Sequence, residues 1–475
     1  GTFRPIPKSA VPEDRRIIGS TIVYDAKVDE HGNLERRKAR LVGKEYAVGY
    51  DGRLLYSPVV DFDSIRLLVA IAVRYKLPIE QCDISTAYLN GVLETKVYMK
   101  TFAGLLQWAK AIRHTDTANI IAAKKSLLKQ HQMSVANGDD MVLEVSRGIP
   151  GFRESGRAWN LELHKTLTTK LNFVSLRSDK CVYVRKVNGS IQILAVFVDD
   201  IIMVGYGILK LITQLSKSYA LKQGGKLKWF LSVRYTWMED GSVLLDQSQF
   251  IDTLLERFHL TDMHPYPTPM AEKTVFSKSD CPPPSERIDK PYAELVYAML
   301  YIARWTRPTI ALSIAILCRF AQNPAMKHWK AALRVLGYLK GTKHQGITYT
   351  PHVVNSGLYC FADAEHATLD PDTRKSFGGR VIMYAGGPIS WKVKQHSRPA
   401  GSTPVAEYYT LSDASEDVKG LSQMLAELGF PEPGAIPMFE DNRMARLVAN
   451  SQCKEKRMKS VDLKYHIVKD LVDSG

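Results

Sequence analysis

Three aspartates lie where apolar strands are predicted to end or to bend. Asp83 lies at the end of a short apolar strand, and Asp199 and Asp200 lie between the apolar runs 191–198 and 201–204. Carboxylate oxygens are the ligands that Mg²⁺ prefers. Two Mg²⁺ ions held about 4 Å apart can activate an attacking oxygen and stabilise a leaving phosphate. If neighbouring strands bring the three acids together, their spacing indicates nucleotidyl transfer.

An Asp-Asp dipeptide also has a simpler interpretation, because two adjacent acids can merely cap a solvated hairpin. The sequence around Asp199 and Asp200 favours a metal site. Apolar strands on both sides make the bend a costly place for two charges unless cations or other partners compensate them.

Four further acids are spaced along the last part of the chain. Asp363 is predicted in a first strand, Glu407 in the following helix, Asp441 at the end of a later strand and Asp462 at the start of the last helix. Hydrolysis of a phosphodiester uses the same two-metal chemistry with water as the nucleophile. A single acid is more often a surface charge, but the ordered set of four predicts a second metal-binding cluster.

The periodicity of apolar residues predicts the elements that position the first three acids. Residues 101–140 are interpreted as an insertion or a lid, and Asn188-Gly189 is a hairpin dipeptide. We expect helices at residues 63–75, 105–112, 120–132, 159–171 and 248–258, and strands at residues 17–24, 38–42, 141–145, 180–187 and 190–198.

The second half of the chain begins with residues 270–291, whose prolines and polar residues predict a linker between domains. Gly429 is expected as the residue that ends a long helix. Helices are predicted at residues 292–305, 309–320, 328–339, 411–428, 444–449 and 461–471, and strands at residues 358–362, 379–384, 389–393 and 436–439.

Length and composition narrow the class of protein. A chain of 475 residues predicts two to four domains. The 64 Lys and Arg against 49 Asp and Glu give a net charge of +15, which favours a polyanionic partner. The six cysteines are scattered singly, which fits a reducing compartment. No apolar run is long enough to predict a membrane span, and a chain that starts with Gly1 is expected to be a piece of a longer protein.

Six blocks of sequence follow one another in an order typical of one family: residues 38–42, 56–59, 83–90, 155–159, 197–200 and 338–342. Phe-Val-Asp-Asp at residues 197–200 resembles the (Tyr/Phe)-x-Asp-Asp signature of reverse transcriptases. Residues 83–90 resemble the Asp-Val-x-Thr-Ala-Phe-Leu-x-Gly block of copia-type elements. Together the blocks resemble the reverse transcriptase plus ribonuclease H region of the copia-type LTR retrotransposon Pol polyprotein, over nearly the whole chain.

This resemblance implies roles for residues around the first cluster. Asp83 and Asp199 would be bridging metal ligands, and Asp200 would support them. Tyr88 takes the position of an aromatic ring beneath the incoming sugar, which implies selection of dNTPs; packing in the core is the alternative. Lys38 and Arg40 are implied to bind the triphosphate, although cations on exposed strands are more often only solvated.

The second set of acids, Asp363, Glu407, Asp441 and Asp462, resembles the catalytic quartet of ribonuclease H in its order of strand, helix, strand end and helix. Residues 374–376, 389–391 and 464–466 also resemble the copia-type domain. His466 lies four residues after Asp462, so on a helix both would share one face. The imidazole could then reach the metal site or a product phosphate, and a partly buried packing role is the alternative.

The fold that the resemblance implies is an α/β and α+β multidomain structure. Residues 1–270 would form a right-hand polymerase with fingers, palm and thumb. Residues 271–350 would form a linker and helical connection, and residues 351–475 a ribonuclease H-like mixed α/β domain.

Several blocks depart from the family pattern. Residues 149–154 read Ile-Pro-Gly-Phe-Arg-Glu where the family has Leu-Tyr-Gly-Leu-Lys-Gln. Pro150 removes a backbone donor near the nucleotide site, and Glu154 replaces an amide by a negative charge beside phosphates. The blocks at residues 401–408 and 459–462 also differ, but each keeps its acid.

Two hypotheses about function follow. The first is an RNA-directed DNA polymerase with ribonuclease H activity, which uses two Mg²⁺ ions per site, or Mn²⁺, and binds an RNA template, a DNA primer, the RNA/DNA hybrid and dNTPs. The second is a decayed or domesticated copy that binds nucleic acid without turnover. The seven intact acids favour the first. A homodimer or association with other Pol proteins in a particle stays open, as does the choice between a cytoplasmic particle and the nucleus inside the cell.

Overall fold

The computed structural model describes residues 2–28, 34–45, 55–353, 357–451 and 466–474. Helices and strands alternate along the chain and the strands form several separate sheets, which confirms the predicted mixed α/β multidomain class. The predicted start of the last helix, residues 461–465, lies outside the described residues.

The first elements include a long hairpin made of two strands, β3 and β4, which pair with each other in their own sheet. The predicted strands at residues 17–24 and 38–42 and the helix at residues 63–75 are confirmed. In chain order the elements are β1 (Phe3–Pro7), β2 (Ile17–Ile18), β3 (Ser20–Val28), β4 (Leu34–Gly43), α1 (Phe62–Arg74), β5 (Ile79–Ile84), α2 (Ala87–Asn90) and β6 (Val92–Lys100).

Residues 101–140 contain two helices, as predicted: α3 (Leu105–Lys110) and α4 (Ala118–Ala136). Helix α4 packs against β1 and against the next strand, β7 (Met141–Arg147). These strands belong to a sheet with the order β1-β7-β6-β2. The side chain of Lys124 is buried in the helical pair and forms an ion pair of 2.6 Å with Asp116. The segment is therefore folded onto the first sheet.

The largest sheet has six strands in the order β12-β5-β11-β10-β9-β8, and all its pairs are antiparallel. The predicted hairpin at Asn188-Gly189 is confirmed, with positive φ at both residues. The elements are α5 (Ser155–Lys165), continued by a π-helical turn (Thr166–Lys170), then β8 (Val174–Ser175), β9 (Val182–Val187), β10 (Ser190–Phe197), β11 (Asp200–Gly205), α6 (Ile208–Ser216) and β12 (Leu221–Lys226).

A small sheet with the order β13-β14-β15-β16 and a group of helices follow. The three helices predicted between residues 292 and 339 are confirmed. The elements are β13 (Trp229–Phe230), β14 (Val233–Trp237), β15 (Val243–Asp246), α7 (Ser248–Arg257), α8 (Tyr292–Trp305), α9 (Ala311–Cys318), α10 (Met326–Gly341) and β16 (Ile347–Tyr349).

The stretch 270–291 packs more closely than its prolines predict. It contains two three-residue 3-10 helices, and Phe276 is buried against Phe320 and the ring of His328. One large apolar side chain is enough to anchor a segment that has no long helix or strand, because its burial removes a large apolar surface from water.

The last described part is a four-stranded sheet with one long helix packed on it. The order is β19-β18-β17-β20, and only the β17–β20 pair is parallel. Gly429 has φ +88° just after the long helix, as expected of a C′ residue. The elements are β17 (Tyr359–Glu365), β18 (Phe377–Tyr384), β19 (Gly387–Gln395), α11 (Thr403–Glu427), β20 (Met438–Phe439), α12 (Arg443–Ala449) and α13 (Ile467–Ser474).

Helix α1 joins these parts. Every residue from position 64 to position 73 is buried, since a helix that is apolar on nearly all faces belongs in an interior. It contacts β11 of the six-stranded sheet, β16 of the small sheet and β19 of the last sheet. One continuous apolar core therefore runs from the six-stranded sheet into the last part of the chain.

Among the described residues, no helix combines the length and the apolar character needed to cross a bilayer.

Candidate active sites

The first site lies where β5 meets the hairpin of β10 and β11. Asp83 in β5 is the register partner of Asp200 in β11, so their Cβ atoms lie about 5 Å apart on one face of the sheet. The backbone N of Ile84 donates to the carbonyl oxygen of Asp199 at 2.8 Å. The fold thus brings Asp83, Asp199 and Asp200 to the same end of two neighbouring strands.

The bend itself is strained. Val198 has φ +58°, a conformation that a β-branched residue rarely adopts and that costs roughly 1–3 kcal/mol. The indole Nε1 of Trp159 donates to the carbonyl oxygen of Val198 at 2.6 Å. This contact from α5 helps to hold a tight bend that presents Asp199 to solvent.

The charges around Asp199 act in opposite directions. Desolvation in the site raises the pKa of Asp199, and the charge of Asp83 adds to this; a backbone hydrogen bond and the cations Lys38 and Arg40 lower it. Lys38 and Arg40 alternate with Ala39 on β4, so they share a face, and Arg40 also pairs with Asp25 at 3.3 Å. The hairpin of β3 and β4 therefore directs two cations toward Asp199.

Tyr88 lies in the short helix α2 and is half-buried. Burial is the larger cause that raises the pKa of its hydroxyl, and the charge of Asp199 raises this pKa further. The ring therefore lies close enough to Asp199 to sense its charge.

The second site is more compact. Asp363 in β17, Glu407 in α11 and Asp441 just after β20 each offer an oxygen, and these oxygens all lie within 4.8 Å of one another. No other set of three His, Cys, Asp or Glu side chains in the described ranges has this closeness, so Asp83, Asp199 and Asp200 are more loosely grouped. Asp462, the predicted fourth acid, lies outside the described residues.

Long-range packing forms this carboxylate cluster. Helix α11 lies against β17, and Glu407 is in its second turn, buried to 4% exposure. Asp363 and Asp441 are exposed. The Oε2 atom of Glu407 is buried and has no hydrogen-bond partner among the described residues. A buried, unpartnered carboxylate oxygen beside two more acids is suited to a hard divalent cation such as Mg²⁺.

Glu440 is a neighbour of the cluster that sequence reasoning did not place in the site. It is buried, and its Oε2 also lacks a partner in the part of the chain that the structure describes. Burial raises the pKa of Glu440 to about 7, with Asp441 and Asp363 adding to the effect. The signal was its position directly before Asp441.

The acids of the cluster repel one another. Burial raises the pKa of Glu407 to about 8, and the charges of Glu440 and Asp363 raise it further. Bound cations would relieve this repulsion, because they stabilise the ionised carboxylates.

His466 lies just before α13, and its Nδ1 is 3.0 Å from the hydroxyl of Tyr408. Tyr408 is the residue after Glu407 in α11, so this contact ties His466 to the helix that carries Glu407. The expectation that His466 and Asp462 share a helix face involves a residue outside the described ranges.

The departures from the family pattern have structural roles. The carbonyl oxygen of Pro150 accepts a hydrogen bond of 2.8 Å from the backbone N of Gly43, at the end of β4. Glu154 is buried and accepts from Thr95 Oγ1 at 3.2 Å. The loop at residues 149–154 therefore supports the base of the β3–β4 hairpin.

A family model described as reverse transcriptase (RNA-dependent DNA polymerase) matches residues 8–132 and 125–272. This match covers more than half of the chain and includes Asp83, Asp199 and Asp200. The chain belongs to the reverse transcriptase family.

Its relatives are proteins of transposons. The chain is 29% identical to the "Retrovirus-related Pol polyprotein from transposon TNT 1-94" of Nicotiana tabacum, over 100% of the chain and 34% of that protein. It is 29% identical to the "Retrovirus-related Pol polyprotein from transposon RE2" of Arabidopsis thaliana, over 98% of the chain and 30% of that protein. The chain thus spans about a third of the length of these relatives.

A shorter relative is the "Putative transposon Ty5-1 protein YCL074W" of Saccharomyces cerevisiae, 25% identical over 71% of the chain and 100% of that protein. The predicted resemblance to copia-type retrotransposon Pol proteins is confirmed.

Proposed function

We propose that this chain is an RNA-directed DNA polymerase that also degrades the RNA strand of the RNA/DNA hybrid it makes. Membership of the reverse transcriptase family supports the first activity. The set Asp363, Glu407 and Asp441, with its oxygens within 4.8 Å of one another, is the observation that supports the second.

In the polymerase, residues 1–270 would form the fingers, palm and thumb. Asp83 and Asp199 are the ligands proposed for two Mg²⁺ ions, or Mn²⁺, and Asp200 supports them. When bound, such ions activate the primer hydroxyl and stabilise the leaving phosphate. The register pairing of Asp83 with Asp200 beside the Val198 bend supports this assignment.

The fingers would hold the incoming dNTP. Lys38 and Arg40 on β4 carry the charges that a triphosphate needs, and both already act on the carboxylate of Asp199. Tyr88, beside Asp199, would lie beneath the sugar and exclude a ribose 2′-hydroxyl by its bulk. The template would be RNA and the primer DNA.

The ribonuclease H-like domain would be residues 351–475, joined to the polymerase by the linker and helical connection at residues 271–350. Asp363, Glu407, Asp441 and Asp462 are the proposed metal ligands. The Oε2 atom of Glu407 is buried and has no hydrogen-bond partner in the described ranges, which supports this assignment. His466, held by Tyr408 at 3.0 Å, is proposed to meet the product phosphate.

Primer extension on an RNA template tests the polymerase. Wild-type protein should extend a DNA primer with dNTPs and Mg²⁺, and Asp199→Asn should not, because it removes a metal-binding charge. Asp262→Asn, an exposed acid outside both sites, is the control and should extend normally. Equal extension by the wild type and Asp199→Asn would contradict the proposed polymerase activity.

Cleavage of a labelled RNA/DNA hybrid tests the second activity separately, because the two sites can fail independently. Asp441→Asn should abolish cleavage while it leaves primer extension intact. Retention of cleavage by this variant would discard the proposed cluster.

A non-catalytic role is the second candidate. Pro150 and Glu154 depart from the family at the base of the β3–β4 hairpin, and the net charge of +15 suits binding without turnover. This candidate predicts that wild-type protein binds the hybrid but neither extends a primer nor cleaves RNA.

We also propose that the protein acts inside the cell, in a particle or in the nucleus, either as a homodimer or with other Pol proteins.

A further inference from the structure

Two phenylalanine rings lie exposed beside the carboxylate cluster. Phe361 in β17 and Phe439 in β20 are register partners across the parallel strand pair. Their rings are stacked, with centroids 5.1 Å apart and an interplanar angle of 26°, yet they remain 48% and 51% exposed. Tyr359 packs edge-on against both. We call Tyr359, Phe361 and Phe439 the aromatic patch.

The aromatic patch shares strands with the acids. Side chains alternate along a strand, so Phe361 and Asp363 lie on the same face about 7 Å apart. Phe439 precedes Asp441 by two residues. Each exposed acid of the cluster therefore has one exposed ring two positions before it. A strand of nucleic acid that places a phosphate at these acids must pass next to the rings.

The surface next to the aromatic patch suits apolar contacts. A cavity of about 240 Å³ adjoins Phe361 and Asp363, with Val381 and Trp391 among its walls. Two cations also line it, Arg380 and Lys392, but both form ion pairs with Asp417. These ion pairs direct both cationic side chains to Asp417, while Phe361, Val381 and Trp391 give the cavity mainly apolar walls, so this surface is better suited to the faces of sugars or bases than to phosphate.

We propose that the aromatic patch is a nucleotide-binding subsite, where Phe361 and Phe439 pack against the sugars of the RNA strand next to the phosphate at the proposed metal site of Asp363 and Asp441. The identity of this strand rests on the proposed ribonuclease H function. A hybrid with A-like geometry has a wide, shallow minor groove that exposes its sugars, and two stacked rings present a flat apolar surface to it. Covering the exposed part of the rings removes apolar surface from water, which favours binding.

Kinetics of hybrid cleavage test the subsite. Phe361→Ala and Phe439→Ala should each raise KM for a labelled RNA/DNA hybrid by about 10-fold, because each removes an apolar ring from the sugar, and keep kcat within about 3-fold. Phe361→Trp should restore KM, because the contact needs a flat ring rather than a particular residue. Tyr297→Ala, on an equally exposed ring of α8 at 53% exposure, should leave KM unchanged. Unchanged KM in both Phe variants overturns the subsite.

Primer extension by the same preparations shows whether the change is local. It should be unaffected in Phe361→Ala and Phe439→Ala, and thermal melting should show both variants folded. A parallel loss of extension would mean a general defect and would overturn a role confined to the aromatic patch.

A photocrosslink tests the contact without turnover. Benzoylphenylalanine in place of Phe361 reacts with nearby C–H bonds, including those of sugars. On irradiation with the hybrid it should crosslink to the RNA strand, whereas the same group in place of Tyr297 should not. A crosslink only to DNA, to a second protein copy or to nothing overturns the proposal. A crosslink to RNA in a protein that does not cleave would keep the subsite and discard the ribonuclease activity.

Discussion

Arg66 joins helix α1 to the end of α8 and to β19, and its removal should strongly weaken the contact between these elements. It lies in α1 with 1% of its side chain exposed and pairs with Asp63. Its guanidinium donates to the carbonyl oxygens of Ile389 at 2.8 Å, Arg304 at 2.7 Å and Trp305 at 3.1 Å. One buried cation thus connects α1 with the end of α8 and with β19.

The substitution Arg66→Met keeps an unbranched side chain about as long as the stem of arginine and removes every donor. Three carbonyl oxygens are left without their charged partner, and Asp63, whose pKa burial already raises, no longer has the cation that opposes this rise. Breaking a buried pair by removing one partner costs about 3–5 kcal/mol. We therefore expect the free energy of unfolding to fall by roughly that amount. Lys76→Met, at an exposed cation just beyond α1, should change it by less than about 0.5 kcal/mol.

Urea unfolding followed by tryptophan fluorescence and circular dichroism measures this. The apolar core that α1 shares with the last sheet predicts one transition for the wild type. Arg66→Met should shift its midpoint strongly or split it in two, because the link between the halves is weakened. A loss below about 1 kcal/mol with a single unchanged transition would refute the idea that this cation holds the junction together.

Three other predictions concern separate features. His328 is buried with its pKa lowered to about 4 from 6.5, so the unfolded chain binds its proton first and stability should fall by up to about 3 kcal/mol as pH drops from 6.5 toward 4. As pH drops, the melting temperature should fall less in His328→Gln than in the wild type; identical slopes in the two proteins would contradict this. Glu407 has its pKa raised from 4.5 to about 8, so without metal stability should fall as pH rises through this interval. Millimolar Mg²⁺ should raise the melting temperature at pH 8 in the wild type and less in Glu407→Gln, and an equal rise in both would argue against metal binding there. Gly151 has φ +87°, and a Cβ at this position would lie 2.1 Å from the carbonyl oxygen of Gly43. Gly151→Ala should therefore lower the free energy of unfolding by about 1–3 kcal/mol and weaken the incorporation of dNTPs in primer extension. Gly138→Ala, with φ +64° and open space around it, is the control for backbone strain alone, and equal losses in the two variants would rule out the clash.

Local structure was predictable because its causes are local. Asn188-Gly189 forms the expected hairpin since both residues accept positive φ. Gly429 ends α11 for the same reason. The helices of residues 101–140 followed from the spacing of apolar residues. Such features depend on a few neighbouring residues and need no knowledge of distant contacts.

The sites were predictable only as sets of residues. The order of the blocks indicated which acids belong together, but their distances depend on strand register and on the packing of α11 against β17. Sequence reasoning therefore missed Glu440, whose importance comes from burial beside Asp363. It also predicted a linker at residues 270–291 but did not foresee that Phe276 is buried there against distant rings.

By itself the sequence determined the family, the order of helices and strands and the acids available for metal chemistry, because periodicity, turn residues and motif order are all recorded along the chain. Only the tertiary structure decided that Arg66 would join two halves, that Phe361 and Phe439 would stack beside Asp363, and that Glu407 would be buried among other acids. The physical reason is that burial and electrostatics depend on neighbours in space, and residues more than 70 positions apart become neighbours only when the whole chain folds.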